Sequence, residues 1–279
     1  MITINRQIVD IQHFPDGTQL LKGNFWTDSE IDCFEWKYEN DEELVTLMFL
    51  SKHLREKNPY NRQVLFMWYV PNARMDRTKK DTEVFTLKYF CEVINSLGFN
   101  EVRVLDPHSN VTPALIKNVQ VFQPGLVVNK VVKELDLHEN DYVYFPDDGA
   151  AKRYADLFPV KRNILIGHKK RDWSTGQILG LEITGRDGQT FEDGHFMGCK
   201  VLMIDDIISY GGTLAYSADE LKNLGFNHIY AYATHVENSI LDEEKGTLLK
   251  RLNDGTVDRI YTTDSIYSGK HPKITAFVQ

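Results

Sequence analysis

Two adjacent carboxylates, Asp205 and Asp206, follow the apolar run Val201-Leu202-Met203-Ile204 and precede Ile207-Ile208-Ser209-Tyr210-Gly211-Gly212-Thr213. The apolar run reads as a strand buried on both faces, with the acids at its carboxyl end, and Leu214, Ala218 and Leu221 open a helical pattern behind the glycines. Ligands of open α/β sheets lie beyond the carboxyl ends of strands, and a helix start offers unpaired N–H groups and a positive dipole end to an anion. Gly211 and Gly212 let the backbone approach a phosphate closely, and the Thr213 hydroxyl can cap the helix or donate to an oxygen. The acids stand from that turn about as far as a sugar's hydroxyls stand from its 5-phosphate, so ribose phosphate is the ligand the spacing suggests. The plain alternative is a βα turn carrying two solvated aspartates.

A second chemistry-bearing loop lies earlier. Residues 63–70 have a strand pattern and run directly into Pro71-Asn72-Ala73-Arg74-Met75-Asp76-Arg77-Thr78-Lys79-Lys80. A proline-initiated loop that delivers arginines to a strand's carboxyl end suits a polyanion, because guanidinium forks match phosphate oxygens. A strand over 102–105 ends at Asp106-Pro107-His108, and a strand over 163–167 leads into His168-Lys169-Lys170-Arg171. Taken alone, a histidine at a strand end is more often structural than a ligand, and a basic hairpin is more often a solvated face. The same plain reading holds for the isolated pair Lys161-Arg162.

These residues must be held by a scaffold, and the sequence carries signs that one scaffold is present twice. Thr86-Leu87, Tyr89, Leu97-Gly98-Phe99-Asn100 and His108 recur in the same register as Thr213-Leu214, Tyr216, Leu224-Gly225-Phe226-Asn227 and His235. A helix that ends in glycine and feeds a strand therefore occurs in each half. Alternating strands and helices give an α/β class with parallel sheets. The expected division is an amino-terminal domain over 1–135 and a carboxyl-terminal domain over 136–279. Segment 185–198, rich in Gly, Asp and Thr, reads as a loop or hairpin tip with no assigned role.

Composition narrows the function classes. The chain has 279 residues, 42% of them hydrophobic, and a formal charge of −8, which argues against a general nucleic-acid surface. The sequence has neither an apolar stretch long enough to span a membrane nor a signal-like amino terminus, so a cytoplasmic protein without membrane partners is expected. The three cysteines, Cys33, Cys91 and Cys199, are scattered and odd in number, which fits a reducing compartment rather than a disulfide framework or a zinc site.

The acid-glycine run resembles the phosphoribosyl-diphosphate (PRPP) loop shared by type I phosphoribosyltransferases and PRPP synthetases, in which paired acids bind the ribose 2- and 3-hydroxyls and the next turn holds the 5-phosphate. Residues 72–78 resemble the Tyr-Ala-Arg-Gln-Asp-Arg-Lys segment with which PRPP synthetases grip ATP, with Met75 in place of Gln. Phosphoribosyltransferases have no such segment, so the chain is identified as similar to the ribose-phosphate pyrophosphokinase (PRPP synthetase) family. That resemblance implies two tandem type I phosphoribosyltransferase-like domains. Phe14 and Asp16 would belong to a turn that reaches the adenine of ATP on a neighbouring subunit, which implies a homo-oligomer, dimer or hexamer. Thr18 stands there where the family has Glu.

Arg74, Asp76 and His108 would bind ATP, and His108 with Asp147 of Phe145-Pro146-Asp147-Asp148-Gly149 would bind Mg²⁺. Lys169 and Arg171 match the family's catalytic Lys-Arg-Arg hairpin, and Asp205, Asp206, Ser209, Tyr210, Gly211, Gly212 and Thr213 would hold the ribose phosphate. The resemblance implies transfer of the β,γ-diphosphate of Mg-ATP to the C1 hydroxyl of a ribose 5-phosphate moiety, with release of AMP. Ser209-Tyr210 replace the family's Asp-Thr where the 5-phosphate is gripped, which admits a substituted acceptor. In this the chain looks like divergent, partly phage-encoded relatives in NAD synthesis that make ADP-ribose 1-diphosphate. Ribose 5-phosphate is the other candidate acceptor. A PRPP-using phosphoribosyltransferase and a non-catalytic regulatory subunit of a synthetase are the alternative classes.

Overall fold

Residues 1–123 build β1 (Ile2–Ile4), β2 (Gln7–Ile8), β3 (Asp10–His13), β4 (Gln19–Lys22), β5 (Ile31–Trp36), α1 (Glu42–Lys57), β6 (Arg62–Met67), α2 (Thr86–Ser96), β7 (Glu101–Leu105), α3 (Val111–Leu115) and β8 (Val119–Phe122). This computed structural model describes residues 1–25, 29–158, 163–171 and 178–278. Strands β5 to β8 are parallel and stand in sequence order, with β1 and β2 added antiparallel at one edge. Glu42 and Glu43 in the first turn of α1 and Arg55 and Lys57 in its last complement the helix dipole. In α2 the buried residues Leu87, Phe90, Cys91 and Ile94 recur at helical spacing and face the sheet. Gly98, at φ +70°, ends that helix in the left-handed conformation and turns the chain into β7.

The second unit contains α4 (Gly125–Glu134), β9 (Tyr142–Phe145), α5 (Asp148–Tyr154), β10 (Asn163–Arg171), β11 (Ile178–Gly185), β12 (Lys200–Ile208), α6 (Gly212–Asn223), β13 (His228–Val236), α7 (Thr247–Asn253), β14 (Arg259–Thr263) and β15 (Ile274–Phe277). Its seven-stranded sheet has the order β11-β10-β9-β12-β13-β14-β15 and is parallel apart from the β10/β11 hairpin. Alternate residues of the central strands serve opposite faces. Val201, Met203 and Ala231 pack with Leu214, Ala218 and Leu221 of α6, whereas Leu202, Ile204 and Tyr232 pack with Val128 and Val131 of α4 and Tyr154 of α5. The helix-glycine-strand repeat is present as α2–Gly98–β7 and α6–Gly225–β13.

Two expectations are revised. The units divide between Gln123 and Pro124 rather than after 135, because α4 buries Val127, Val128 and Val131 against β9 and β12. The strand before the glycine turn does not stop at Ile204. It continues to Ile208 because β13 runs alongside it, pairing Asp205 with Ala233 and Ile208 with Val236. Segment 185–198 is the loop its composition suggests, and it is anchored at one point: Phe196 is buried and stacked on Phe226 with ring centroids 4.6 Å apart, and Phe196 N and Gly194 N donate to Leu224 O and Asn223 O at the end of α6.

Candidate functional site

The acid pair occupies a defined place in the topology of the second sheet. From β9 the chain moves one way to β10, and from β12 it moves the other way to β13 and β14, so strand order reverses between β9 and β12. A crevice forms at such a switch point, outside the carboxyl ends of the strands. Strand β9 accompanies β12 only through Met203, after which Asp205 and Asp206 stand beyond its end. Asp147, directly after β9, caps α5 by accepting from Ala150 N at 2.9 Å. Its charge acts on Asp205, so the two strand ends bring Asp147, Asp205 and Asp206 into one neighbourhood.

Among the described residues, one guanidinium is bound to the acid pair. Arg153, in the last turn of α5, donates from Nη2 to Asp206 Oδ1 at 3.0 Å, and Asp206 is buried. Sequence reading passed over Arg153. The available signal was its place on the helix that Asp147 opens, close enough to lie beside the same strand ends. Burial, reinforced by the adjacent Asp206 charge, raises the Asp205 carboxyl well above the usual range.

A carboxyl whose folded-state pKa is raised stabilises the fold below the ordinary carboxylate value and loses that contribution as pH climbs through its own value. The wild-type protein is therefore expected to lose stability relative to Asp205→Asn as pH rises above the ordinary carboxylate range, at most by about 1.4 kcal/mol per pH unit. Melting temperature followed against pH for both proteins checks this, and parallel curves would contradict it.

The glycine turn is as tight as its residues suggested. Gly211 caps α6 at φ +79°, and a Cβ there would run into Leu248 of α7. The Tyr210 carbonyl accepts from Thr247 Oγ1 at 2.9 Å and from Leu248 N at 3.2 Å, while Ser209 Oγ lies 3.2 Å from Ser239 Oγ. Gly212 is exposed and Thr213 half-buried at the start of α6. Beneath the turn, Tyr144 OH meets Ser217 Oγ at 2.8 Å.

Strand β10 pairs with β9 only as far as Ile166, so Lys169, Lys170 and Arg171 lie on the part of the hairpin that outruns the sheet. Their side chains, residues 172–177 and the pair Lys161-Arg162 lie outside the described residues. At the base of this hairpin His168 lies between β11 and α5. Nε2 lies 3.0 Å from Thr184 Oγ1 on β11 and Nδ1 lies 4.0 Å from Asp148 Oδ2 on α5. His235, the repeat counterpart of His108, is buried, with Nδ1 2.8 Å from Ser265 Oγ.

In the first unit, β6 and β7 are parallel neighbours, and the loops after them meet where Asp76 is bonded by Ser109. Each loop holds a non-glycine residue in the left-handed region, Asn72 at φ +62° and the buried Asp106 at φ +41°. Asp76 is buried and bound by the Arg77 fork, Nε to Oδ1 at 2.9 Å and Nη2 to Oδ2 at 3.2 Å. That fork, aided by a bond from Ser109 and the charge of His108, lowers its carboxyl pKa. The Arg74 and His108 loops thus share one carboxyl edge, with Arg74 exposed and His108 half-buried. Phe14 and Asp16 form the turn between β3 and β4. Phe14 is 48% exposed, and Asp16 accepts from both Thr18 N and Thr18 Oγ1, at 3.0 and 2.7 Å, which lowers its carboxyl pKa. The described residues hold no cluster of three or more His, Cys, Asp or Glu side chains able to hold a metal by themselves. None of their helices is long and apolar enough to cross a membrane.

Tandem parallel-sheet units, one with an acid pair and glycine turn at its switch point, define a doubled α/β protein. No family model matches the chain. Curated ribose-phosphate pyrophosphokinases do match: that of Thermococcus kodakarensis is 30% identical over 235 residues, covering 81% of this chain and 77% of that protein. The one from Saccharolobus solfataricus is 25% identical over 82% of this chain and 76% of its own length. The chain belongs to the ribose-phosphate pyrophosphokinase family, whose members are diphosphotransferases. Its fold is that of the phosphoribosylpyrophosphate synthetase from Mycobacterium smegmatis, with a TM-score of 0.71 over 97% of this chain and 86% of that one at 15% identity.

Proposed function

We propose that the chain transfers the β,γ-diphosphate of Mg-ATP to the C1 hydroxyl of a ribose 5-phosphate moiety and releases AMP. The observation that carries this reading is the acid pair at the β9/β12 switch point, followed by the Gly211 turn. In the reaction the C1 oxygen attacks the β-phosphorus in line and its proton passes to water. The bond from β-phosphorus to the α,β-bridging oxygen breaks, and its electron pair stays on AMP. Such a transfer asks the protein for positioning and charge neutralisation.

Asp205 and Asp206 would orient the ribose hydroxyls, and the N–H groups of residues 209–213 would hold the 5-phosphate. Phe14, Asp16, Arg74 and Asp76 would place the nucleotide, and Lys169 and Arg171 would offset charge growing on the bridging oxygen. Asp147, an exposed carboxylate after β9, is the kind of ligand a hard ion that keeps several waters takes beside phosphates, and the half-buried His108 of the first unit is the second residue that would hold Mg²⁺. When bound, Mg²⁺ supplies neutralisation of the triphosphate charge.

The acceptor we favour is ADP-ribose, giving ADP-ribose 1-diphosphate for NAD synthesis, with ribose 5-phosphate and PRPP as the second reading. Support for the first is the turn itself, where the Ser209 hydroxyl is engaged by Ser239 and Tyr210 presents an exposed ring. A phosphoribosyltransferase would leave the Arg74 loop and His108 without purpose, and a silent regulatory subunit would have no call on Asp205, Asp206 and Lys169 together. The adenine turn, if it works across subunits as in the family, makes a homo-oligomer part of this proposal.

Incubation with Mg-ATP and each acceptor, read by mass spectrometry, tests the function. AMP with a diphosphorylated sugar is expected. AMP without any sugar, or no AMP with either, would defeat it.

A further inference from the structure

The turn assigned to the 5-phosphate has a neighbour that the reading above does not use. Tyr210 is pinned by its carbonyl to the start of α7, and its side chain remains 39% exposed. The Lys245 ammonium lies over that ring, 6.0 Å from its centroid. Lys245 is held in place by its backbone: Asp242 Oδ1 accepts from Lys245 N at 2.8 Å and from Glu244 N at 3.0 Å, and Gly246 N donates to Asp242 O at 2.7 Å. Among the described residues the Lys245 ammonium makes no ion pair, whereas the nearby Lys250 ammonium is spent on Glu244 O at 2.7 Å.

We propose that Lys245, together with the Tyr210 ring, selects an acceptor whose ribose 5-oxygen carries a diphosphate with a further group attached, rather than a single phosphate. The inference rests on the diphosphokinase reading. The N–H groups of a short turn satisfy one phosphate, and a second phosphoryl group puts another negative charge outside their reach. Acids crowd the turn: Asp205 and Asp206 precede it, Glu237 accepts from Ser239 beside it, Asp242 caps the Lys245 backbone, and the one other nearby ammonium, that of Lys250 among the described residues, is held by Glu244 O. Without a cation there, the longer acceptor would be repelled. A lysine is a compact charge on a flexible stem, and its contact with an exposed ring is weak, so the ammonium can exchange the ring for a phosphate oxygen. The ring then offers a flat apolar face to whatever lies beyond the diphosphate.

The test compares kcat/KM for ADP-ribose and for ribose 5-phosphate, read as AMP release from Mg-ATP, in the wild-type protein, Lys245→Ala and Lys245→Arg. The expected result is a fall of about tenfold in the preference for ADP-ribose in the alanine variant, carried by KM, with arginine keeping the preference to within about threefold. Because the readout is a ratio on one protein, partial misfolding leaves it unmoved. An unchanged ratio overturns the inference. So does a wild-type protein that uses ribose 5-phosphate but not ADP-ribose, and in that case the diphosphokinase reading stands. Release of AMP with neither acceptor overturns that reading and the inference with it.

Discussion

Gly211→Ala is expected to lower kcat/KM for the sugar acceptor by about a hundredfold or more. The position demands φ +79°, where an alanine costs roughly 1–2 kcal/mol, and its Cβ would be driven into the Leu248 side chain. Leu248 cannot yield easily: it is fully buried, and its own N–H is bound to the Tyr210 carbonyl of the same turn. The backbone of residues 209–213 must therefore shift, which moves the N–H groups assigned to the 5-phosphate. A displacement of about 1 Å at a substrate-positioning element is enough for a loss of that size. Affinity for ATP, assigned to the Arg74 and His108 loops of the other unit, is expected to stay within about twofold. Steady-state kinetics with the acceptor varied and equilibrium binding of ATP measure the two separately. An alanine variant with wild-type acceptor kinetics would remove the turn from phosphate binding.

Lys169→Ala is expected to lower kcat by roughly a hundredfold, with KM for ATP and acceptor changed by no more than about threefold. Charge on the α,β-bridging oxygen grows in the transition state and is absent from bound ATP, so a cation aimed at it contributes to rate and not to affinity. The backbone supports such a part. Strand β10 outruns β9 after Ile166, and at the base of the projecting hairpin the His168 imidazole lies 4.0 Å from the Asp148 carboxylate of the helix that Asp147 caps. Presteady-state measurement of a single turnover would separate the chemical step from product release. A variant with unchanged kcat would exclude Lys169 from the step.

What the sequence made legible was whatever leaves a local pattern. The buried strand at Val201, the glycine cap and the repeated helix-glycine-strand unit could be read because burial on both faces, a left-handed turn and helical spacing each leave their own trace in the residue types. The end of β12 could not be read. Asp205 and Asp206 look like the end of a strand, yet β13 supplies partners as far as Ile208, and strand pairing overrides local composition. The anchor of segment 185–198 was hidden for a related reason. Its Gly and Asp content suggests an open loop, but Phe196 reaches the Phe226 ring and fixes the segment to the end of α6. Arg153 escaped notice because its partner, Asp206, is distant in sequence and the contact depends on which strands flank the switch point. The assignment of α4 to the first unit failed similarly: its apolar face at Val127, Val128 and Val131 reads equally well toward either sheet.

The account turns on one bond, that between the α,β-bridging oxygen and the β-phosphorus of ATP. ATP carrying an isotope on its β-phosphorus, incubated with the protein, Mg²⁺ and each acceptor, reports where that bond goes. The account predicts unlabelled AMP and a sugar whose C1 diphosphate holds the label, with the γ-phosphorus still attached to it. Labelled ADP, the mark of transfer of the γ-phosphoryl group alone, would contradict it.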